Sequence, residues 1–383
     1  MSAPSSTTVN YPEEFKGFAI TDPKDWANPK LTSYQPKKLD DYDIDIEIEC
    51  CGICASELFS LKNEWADGPL TCLSSTYGPK SQVVGHEIVG KVVKVGARAD
   101  LYKIGDRVGL GAQAFSCLDC PRCKSDNEQY CPKAVGTYCK KYADGYVSQG
   151  GYASHVRAHQ HFCFPIPDGL PSEYVSPLLC GGLTVYSPIK RNIEHLEEPT
   201  VAIIGIGGLG HMAIMIAKAL GAKVVAFSRS YSKKEDAIKM GADEFVATGD
   251  NSIDWSAKYF DAFDLILNCA SSTTGLELNK LLPCLKVNKN FISVGLPHKG
   301  EVLDLKPISF FTNGCCLGSS KLGNRREAIE LLELAKEKGF RPWVERIPIS
   351  EQGIHEGLTR LDKGDVRYRF TLVDFHKFFG TGK

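Results

Sequence analysis

The sequence predicts a two-domain α/β protein in which a mainly β half is joined to a doubly wound parallel sheet. Three observations carry this expectation. The chain has 383 residues, more than one ordinary core organises. Its first half holds short β-branched runs separated by Gly and Asp turns, and after Pro199 strand-like and helix-like stretches alternate.

The run YDIDIEIE, Tyr42 to Glu49, alternates strictly, with Ile44, Ile46 and Ile48 on one face and Asp43, Asp45, Glu47 and Glu49 on the other. This is the pattern of a half-buried strand. IVGKVVKVG (88–96), GDRVGLG (105–111) and GGYASHVRA (150–158) read as further strands. VAIIG after Pro199 is a continuous apolar strand, Gly207 to Leu220 has helical periodicity, and Gly221 ends it before KVVAFS. FDLILNCA (263–270) and NFISVG (290–295) are later strands, and Arg325 to Lys338 is an amphipathic helix with Gly339 at its end.

Composition narrows the function. Lys and Arg total 45 against 46 Asp and Glu, a formal net charge of −1, which leaves no electrostatic footprint for nucleic acid. No stretch approaches the roughly 18 apolar residues of a membrane span. The opening MSAPSSTTVN has neither the charges nor the apolar core of a signal peptide, so a cytoplasmic location is expected. Fifteen cysteines are many for a reducing compartment, and their clustering points to metal or catalysis rather than a disulfide framework.

Cys117, Cys120, Cys123 and Cys131 form C-x2-C-x2-C-x7-C. Four thiolates on a short loop close a tetrahedral shell around zinc, and with no open position such a site is structural. Iron-sulfur ligation uses other spacings, and free thiols are the bland alternative. A second set is dispersed: Cys54 in CGICASELF, His86 and Glu87 in VVGHEIVG, and Cys180 in LLCGGLTVYS. Two thiolates and an imidazole make a catalytic zinc set whose fourth position takes water, substrate or, at rest, Glu87. Singly, each is an ordinary core cysteine or polar residue. The metal there acts as a Lewis acid on a C–O centre. Cys50, Cys51, Cys72, Cys139, Cys163, Cys269, Cys284, Cys315 and Cys316 are expected to serve mostly in packing.

Gly205, Ile206, Gly207, Gly208, Leu209 and Gly210 match G-x-G-x-x-G between a strand and a helix, the setting in which backbone amides receive a dinucleotide pyrophosphate. An acidic residue ending the next strand would recognise a bare ribose. Ser228 and Arg229 stand there instead, followed by Lys233 and Lys234, so NADP(H) is expected through pairing with a 2′-phosphate. Cations that merely face solvent at a helix start would be disfavoured by the helix dipole.

CGICASE, VVGHEIVGKVVKVG, FSCLDCPRCKSDNEQYC, PLLCGGLTVYSP, GIGGLGHMA and KGDVRYRFTLV together resemble the zinc-dependent medium-chain alcohol dehydrogenases, and among them the NADP-dependent cinnamyl alcohol dehydrogenase group. The resemblance covers nearly the whole chain. It implies a GroES-like catalytic domain built from residues 1–183 and 323–383, flanking a Rossmann domain over 184–322, and a homodimer through the Rossmann sheets. It implies two zinc ions per subunit, bound by the two sets above. It carries over Ser56 as the hydroxyl that passes the alcohol proton, and Ser228, Arg229, Lys233 and Arg369 as 2′-phosphate and cofactor contacts. Trp65 and Phe115 fall where pocket aromatics are expected, with core packing the alternative.

Two departures from the family pattern stand out. Phe59 replaces a relay His and cannot move a proton. Residues 63–81 are longer than in near relatives. The reading implied is NADPH-dependent reduction of aromatic, cinnamaldehyde-like and aliphatic aldehydes, zinc polarising the carbonyl and Ser56 supplying the proton. A polyol dehydrogenase and a non-catalytic NADPH-binding redox sensor are the rivals.

Overall fold

The computed structural model describes residues 11–64, 81–250, 252–297 and 300–380. It contains a mainly antiparallel seven-stranded sheet and a six-stranded parallel sheet, with two smaller sheets beside the first. This is the α/β class that the sequence predicts.

The antiparallel sheet is organised on the strand Asp43–Ile53, which pairs with Ile88–Val95, with His155–His159 and with Arg369–Val373. Its last partner comes from the far end of the chain, so both chain ends build one sheet. The register pairs Leu372 with Cys51, Thr371 with Gly52 and Phe370 with Ile53. Continued by one residue, it sets Arg369 beside Cys54. That adjacency of positions 315 residues apart fixes the site described below.

The alternating strand is more buried than its pattern implies. Its apolar face is core as expected, with Ile44 and Ile46 fully buried. Asp43 and Asp45, expected on a solvent face, are also buried. The reason is pairing: Arg157 donates to both oxygens of Asp45 at 2.6 and 2.8 Å, Tyr11 bonds the same carboxylate, and Lys37 pairs with Asp43. Paired, hydrogen-bonded charges tolerate burial that lone ones do not. GGYASHVRA is also shorter as a strand than expected, spanning only His155–His159. Gly150 and Gly151 instead pack against the backbone of Val84 and the side chain of Ile88.

The parallel sheet runs Glu244–Ala247, Lys223–Ser228, Thr200–Ile204, Phe263–Asn268, Leu285–Ser293, Cys316–Ser319 across its width. The chain enters at Thr200–Ile204, moves outward one way, then returns to the other side of its first strand. This reversal between Thr200–Ile204 and Phe263–Asn268 opens a crevice at the strands' carboxyl ends. The helix Gly210–Ala219 follows the first strand, as the periodicity predicts, beginning three residues later than read. Arg325–Lys338 is helical throughout, capped by Asn324 and ended by Gly339 in the left-handed region.

The helix Gly181–Ile193 lies on the seam and straddles position 183/184. One apolar cluster reaches from Cys50 and Val89 of the antiparallel sheet through Leu183 and Ile189 of this helix to Ile203 and Leu265 of the parallel one. The two sheets are therefore tied by a continuous core around the start of this helix.

The Arg157–Asp45 pair yields a test. Asp45→Asn is expected to destabilise the protein by about 3–5 kcal/mol by leaving a buried guanidinium without its counter-charge. Glu351→Gln, which breaks the exposed pair with Lys30, is expected to cost less than about 1 kcal/mol. Urea denaturation of both variants measures the contrast, and equal small losses would contradict it.

Candidate active site and zinc centres

The strand Asp43–Ile53 ends at Cys54, and the helix Ala55–Lys62 begins there. Glu57, at the third helical position, turns its carboxylate back to accept the Cys54 N–H at 2.6 Å. The same oxygen accepts the Tyr152 hydroxyl at 3.0 Å. Its other oxygen lies 2.8 Å from His86 Nδ1. Glu57 was not singled out from the sequence, although Cys54-x-x-Glu57 has the spacing of a helix capping box. Burial pushes its carboxyl up, and the facing His86 opposes that.

With Nδ1 turned to Glu57, His86 presents Nε2 to the opposite side, 3.0 Å from Cys180 Sγ. Cys180 stands where Gly181–Ile193 begins. Cys54, His86, Glu87 and Cys180 each offer a ligand atom, all within 4.8 Å of one another. The neighbouring Cys180 sulfur holds the Cys54 thiol well below its usual range, while Cys54 and burial push the Cys180 thiol well above it. Burial works against a charged His86, while the Glu57 carboxylate and Cys54 favour one.

Glu87 is placed by its backbone and side chain together. Its carbonyl accepts from Gly52 N–H at 2.9 Å and Ser176 Oγ at 2.6 Å. Its carboxylate pairs with Arg369, and its second oxygen, fully buried, has no hydrogen-bond partner among the described residues. Burial pushes the carboxyl up to about 7, against the pull of Arg369. A Cβ at position 52 would sit 2.0 Å from Glu87 Oε2, so a larger residue there would displace this carboxylate. Two sulfurs, an imidazole nitrogen and a carboxylate oxygen within 4.8 Å of one another suit a tetrahedral divalent metal of borderline softness, hence zinc.

The cysteine loop forms a second cluster. Cys117–Cys123, Cys120–Cys123, Cys120–Cys131 and Cys131–Cys117 sulfurs are 3.9, 3.5, 3.9 and 3.5 Å apart. A tetrahedron with metal–sulfur bonds of about 2.3 Å has edges of about 3.8 Å. Amides of Asp119 and Cys120 point at Cys117 and hold its thiol down to about 6. The loop also grips the segment where the chain leaves the parallel sheet. Lys321 bonds Gln129 O and the Tyr130 hydroxyl, Asn324 bonds Asp126 O, and Arg325 N–H bonds Glu128.

Of the other cysteines, Cys50, Cys51, Cys163, Cys284 and Cys315 are buried, Cys269 is half-buried and Cys316 is exposed. Cys139 is disulfide-bonded, a departure from the packing role expected of it. Ser56 is half-buried and accepts a hydrogen bond from the Tyr138 hydroxyl at 3.4 Å, and the Tyr138 ring lies 5.5 Å from that of His86. Phe59 lies one helical turn beyond, on the same helix Ala55–Lys62. Phe115 is half-buried, and its ring lies against those of Tyr142 and His159. Trp65 and most of the segment 63–81 fall outside the described residues.

At the reversal of the parallel sheet, a cavity of about 280 Å³ is lined by Gly205, Ile206, Gly207, Ser228, Arg229 and Lys233. A Cβ on Gly210 would lie 1.8 Å from Gly205 O, so the turn itself demands glycine. A Cβ on Gly207 meets nothing within 4 Å, which leaves the cleft there open to a close-lying ligand. Lys233 donates to Ile206 O at 2.7 Å across the mouth of this turn. The bare glycine cradle and its cations fit a phosphorylated dinucleotide. Gly208 lies under Arg369, whose side chain would be 3.2 Å from a Cβ there, so cofactor cleft and metal cluster meet at one arginine.

A two-sheet protein with a dinucleotide crevice opening beside a buried thiolate–imidazole set is a metal-dependent dehydrogenase in class. The alcohol dehydrogenase GroES-like domain family matches residues 40–168, and the zinc-binding dehydrogenase family matches 208–337. The chain is 49% identical to NADP-dependent alcohol dehydrogenase 6 of Saccharomyces cerevisiae over 97% of its length and 99% of the relative's. Among solved structures it resembles a cinnamyl alcohol dehydrogenase of Sorghum bicolor, with a TM-score of 0.83, 31% identity, and coverage of 94% and 97% of the two chains. The Helicobacter pylori cinnamyl alcohol dehydrogenase complexed with NADP(H) gives 0.81 at 29% identity, with 94% and 98% coverage. The chain belongs to the zinc-binding alcohol dehydrogenase family and is an enzyme of that class.

Cys120→Ser is expected to lower bound zinc from two ions per chain to one, with a fall in melting temperature, because the loop then loses its main source of order. Metal analysis and calorimetry together check this. Two retained zinc ions would contradict the assignment of the cluster.

Proposed function

We propose that the chain is an NADPH-dependent aldehyde reductase. Cys54, His86 and Cys180, with Glu87 as an exchangeable fourth ligand, would hold the catalytic zinc, and Cys117, Cys120, Cys123 and Cys131 a structural one. The observation that carries the cofactor preference is the cavity wall of Ser228, Arg229 and Lys233, at the end of a strand where a carboxylate would select NADH. The name of the Saccharomyces cerevisiae relative supports the same cofactor. The similar cinnamyl alcohol dehydrogenase structures support aromatic aldehydes as substrates. Arg229 argues against an NAD-linked polyol dehydrogenase.

When bound, zinc supplies a Lewis acid for the carbonyl oxygen, and the nicotinamide supplies hydride to the carbonyl carbon. The chain does the rest. Glu57 holds the His86 ring so that Nε2 faces the metal position. The Tyr138 hydroxyl donates to Ser56, which leaves the Ser56 proton free to pass to the product oxygen. Phe59 can take no part in replenishing that proton. Arg369 holds Glu87 in place and closes the cleft over Gly208. We assign catalysis to residues 1–183 with 323–383, and cofactor binding to 184–322.

A homodimer is part of this proposal. Among the described residues Cys316–Ser319 pairs on one side only, and Val302, Ile308 and Phe311 nearby in sequence are strongly exposed. An open strand edge and exposed apolar side chains suit pairing with a second copy. A cytoplasmic location is supported by the seven cysteines among the described residues that are neither disulfide-bonded nor assigned to zinc. No helix among those residues is long and apolar enough to cross a membrane.

Oxidation of NADPH and NADH with cinnamaldehyde tests the proposal. The expected outcome is turnover with NADPH at least about tenfold above NADH, as loss of one charge-assisted hydrogen bond would give, with the preference removed by Arg229→Asp and turnover lost in Cys180→Ser. NADPH binding without turnover in the zinc-loaded protein would point to the non-catalytic reading instead.

A further inference from the structure

The metal cluster, the cofactor cleft and the relay serine do not account for a group of aromatic and charged side chains between the two sheets. Tyr368 is 2% exposed and sits immediately before the strand Arg369–Val373 of the antiparallel sheet. Its ring stacks on that of His211, 5.3 Å between centroids and 17° between planes, and meets Trp343 edge-on at 5.8 Å. Its hydroxyl donates to Asp236 at 2.5 Å. Asp236 lies in the helix Lys234–Lys239 of the other lobe and also accepts from Arg367 Nε at 2.9 Å. The ring is therefore fixed on three sides, by a histidine and an aspartate of the dinucleotide lobe and by a tryptophan of its own.

Above this fixed ring lies the Lys233 ammonium, 5.6 Å from the centroid. The same ammonium donates to Ile206 O, within the glycine-rich turn. A lysine is a flexible point charge whose position must be supplied by its surroundings. Here one support is a carbonyl beside the cofactor cleft, and the other is an aromatic face contributed by the catalytic lobe.

We infer that Tyr368 determines cofactor specificity by holding the Lys233 ammonium at the 2′-phosphate position. Selection of NADPH over NADH is thereby a joint property of the two lobes and not of the dinucleotide lobe alone. The inference rests on the reading above that Lys233 contacts the 2′-phosphate. Tyr368 acts through Lys233, so it is a positioning residue.

The test measures dissociation constants of NADPH and NADH for the full-length zinc-loaded protein by fluorescence titration. Tyr368→Met keeps an apolar side chain and removes the aromatic face. It is expected to weaken NADPH about 3- to 10-fold, the range of a partly desolvated cation–π contact, and to change NADH less than about twofold. Tyr368→Phe restores the face without the phenol and is expected to recover NADPH binding. In a Lys233→Ala background, Tyr368→Met is expected to have no further effect on NADPH.

Equal weakening of both cofactors by Tyr368→Met would overturn the inference, as would an effect that persists without Lys233. Loss of NADPH preference in Tyr368→Phe would overturn it even where the methionine variant fails to fold. If Lys233→Ala shifts the preference while Tyr368→Met does not, the inference fails and the Lys233 reading stands. If Lys233→Ala leaves the preference unchanged, the Lys233 reading falls and takes the inference with it.

Discussion

The carboxylate of Glu57 is the contact on which the metal site depends. It bonds the Cys54 N–H, accepts the Tyr152 hydroxyl and faces His86 Nδ1. One buried side chain thus sets the backbone of one ligand and the ring orientation of another. Without it, the first turn of Ala55–Lys62 would lose its cap and His86 would be free to turn either nitrogen toward the sulfurs. The arrangement also costs something, since a carboxylate with no exposure needs its donors to offset desolvation. Tyr152 and the Cys54 amide supply two of them, and His86 Nδ1 faces the remaining oxygen.

From that point outward, the site is built by chain segments that meet only through the fold. Strand pairing brings Arg369 to Cys54, and Gly52 leaves the space that Glu87 fills. Arg369 then touches both lobes: its guanidinium pairs with Glu87 and its side chain covers Gly208 of the dinucleotide turn. Cys180 closes the set from the helix that carries the shared apolar core. Cofactor and metal can meet because the seam between the sheets is also where both sets of residues converge. The cysteine loop secures this seam from outside by hydrogen bonds to residues 321–325.

Local chemistry was legible in the sequence, and long-range pairing was not. The four-cysteine spacing, the glycine turn between strand and helix, and Ser228–Arg229 in place of an acid each announce a function within a few residues. The periodicity of 325–338 and its glycine end were equally plain. By contrast, the alternation in 42–49 suggested that Asp43 and Asp45 face water, since nothing local reveals that Lys37 and Arg157 neutralise them. The segment DVRYRF shows no sign that its tyrosine lies between His211, Asp236 and Lys233. Glu57 was the nearest miss. Its spacing from Cys54 is a capping signal, but a cysteine at the cap position hid it, and only the fold sets His86 against it.

The most direct test of this account is the zinc affinity of Glu57→Gln, measured by competition with a chelator so that the two metal sites are released separately. Glutamine keeps the size of the side chain and removes the charge facing His86. The account predicts that the four-cysteine site holds its zinc as before, while the Cys54–His86–Cys180 site releases it about 10 to 100 times more readily. Release from both sites at the unaltered affinities, with the fold intact, would contradict the central place given to Glu57.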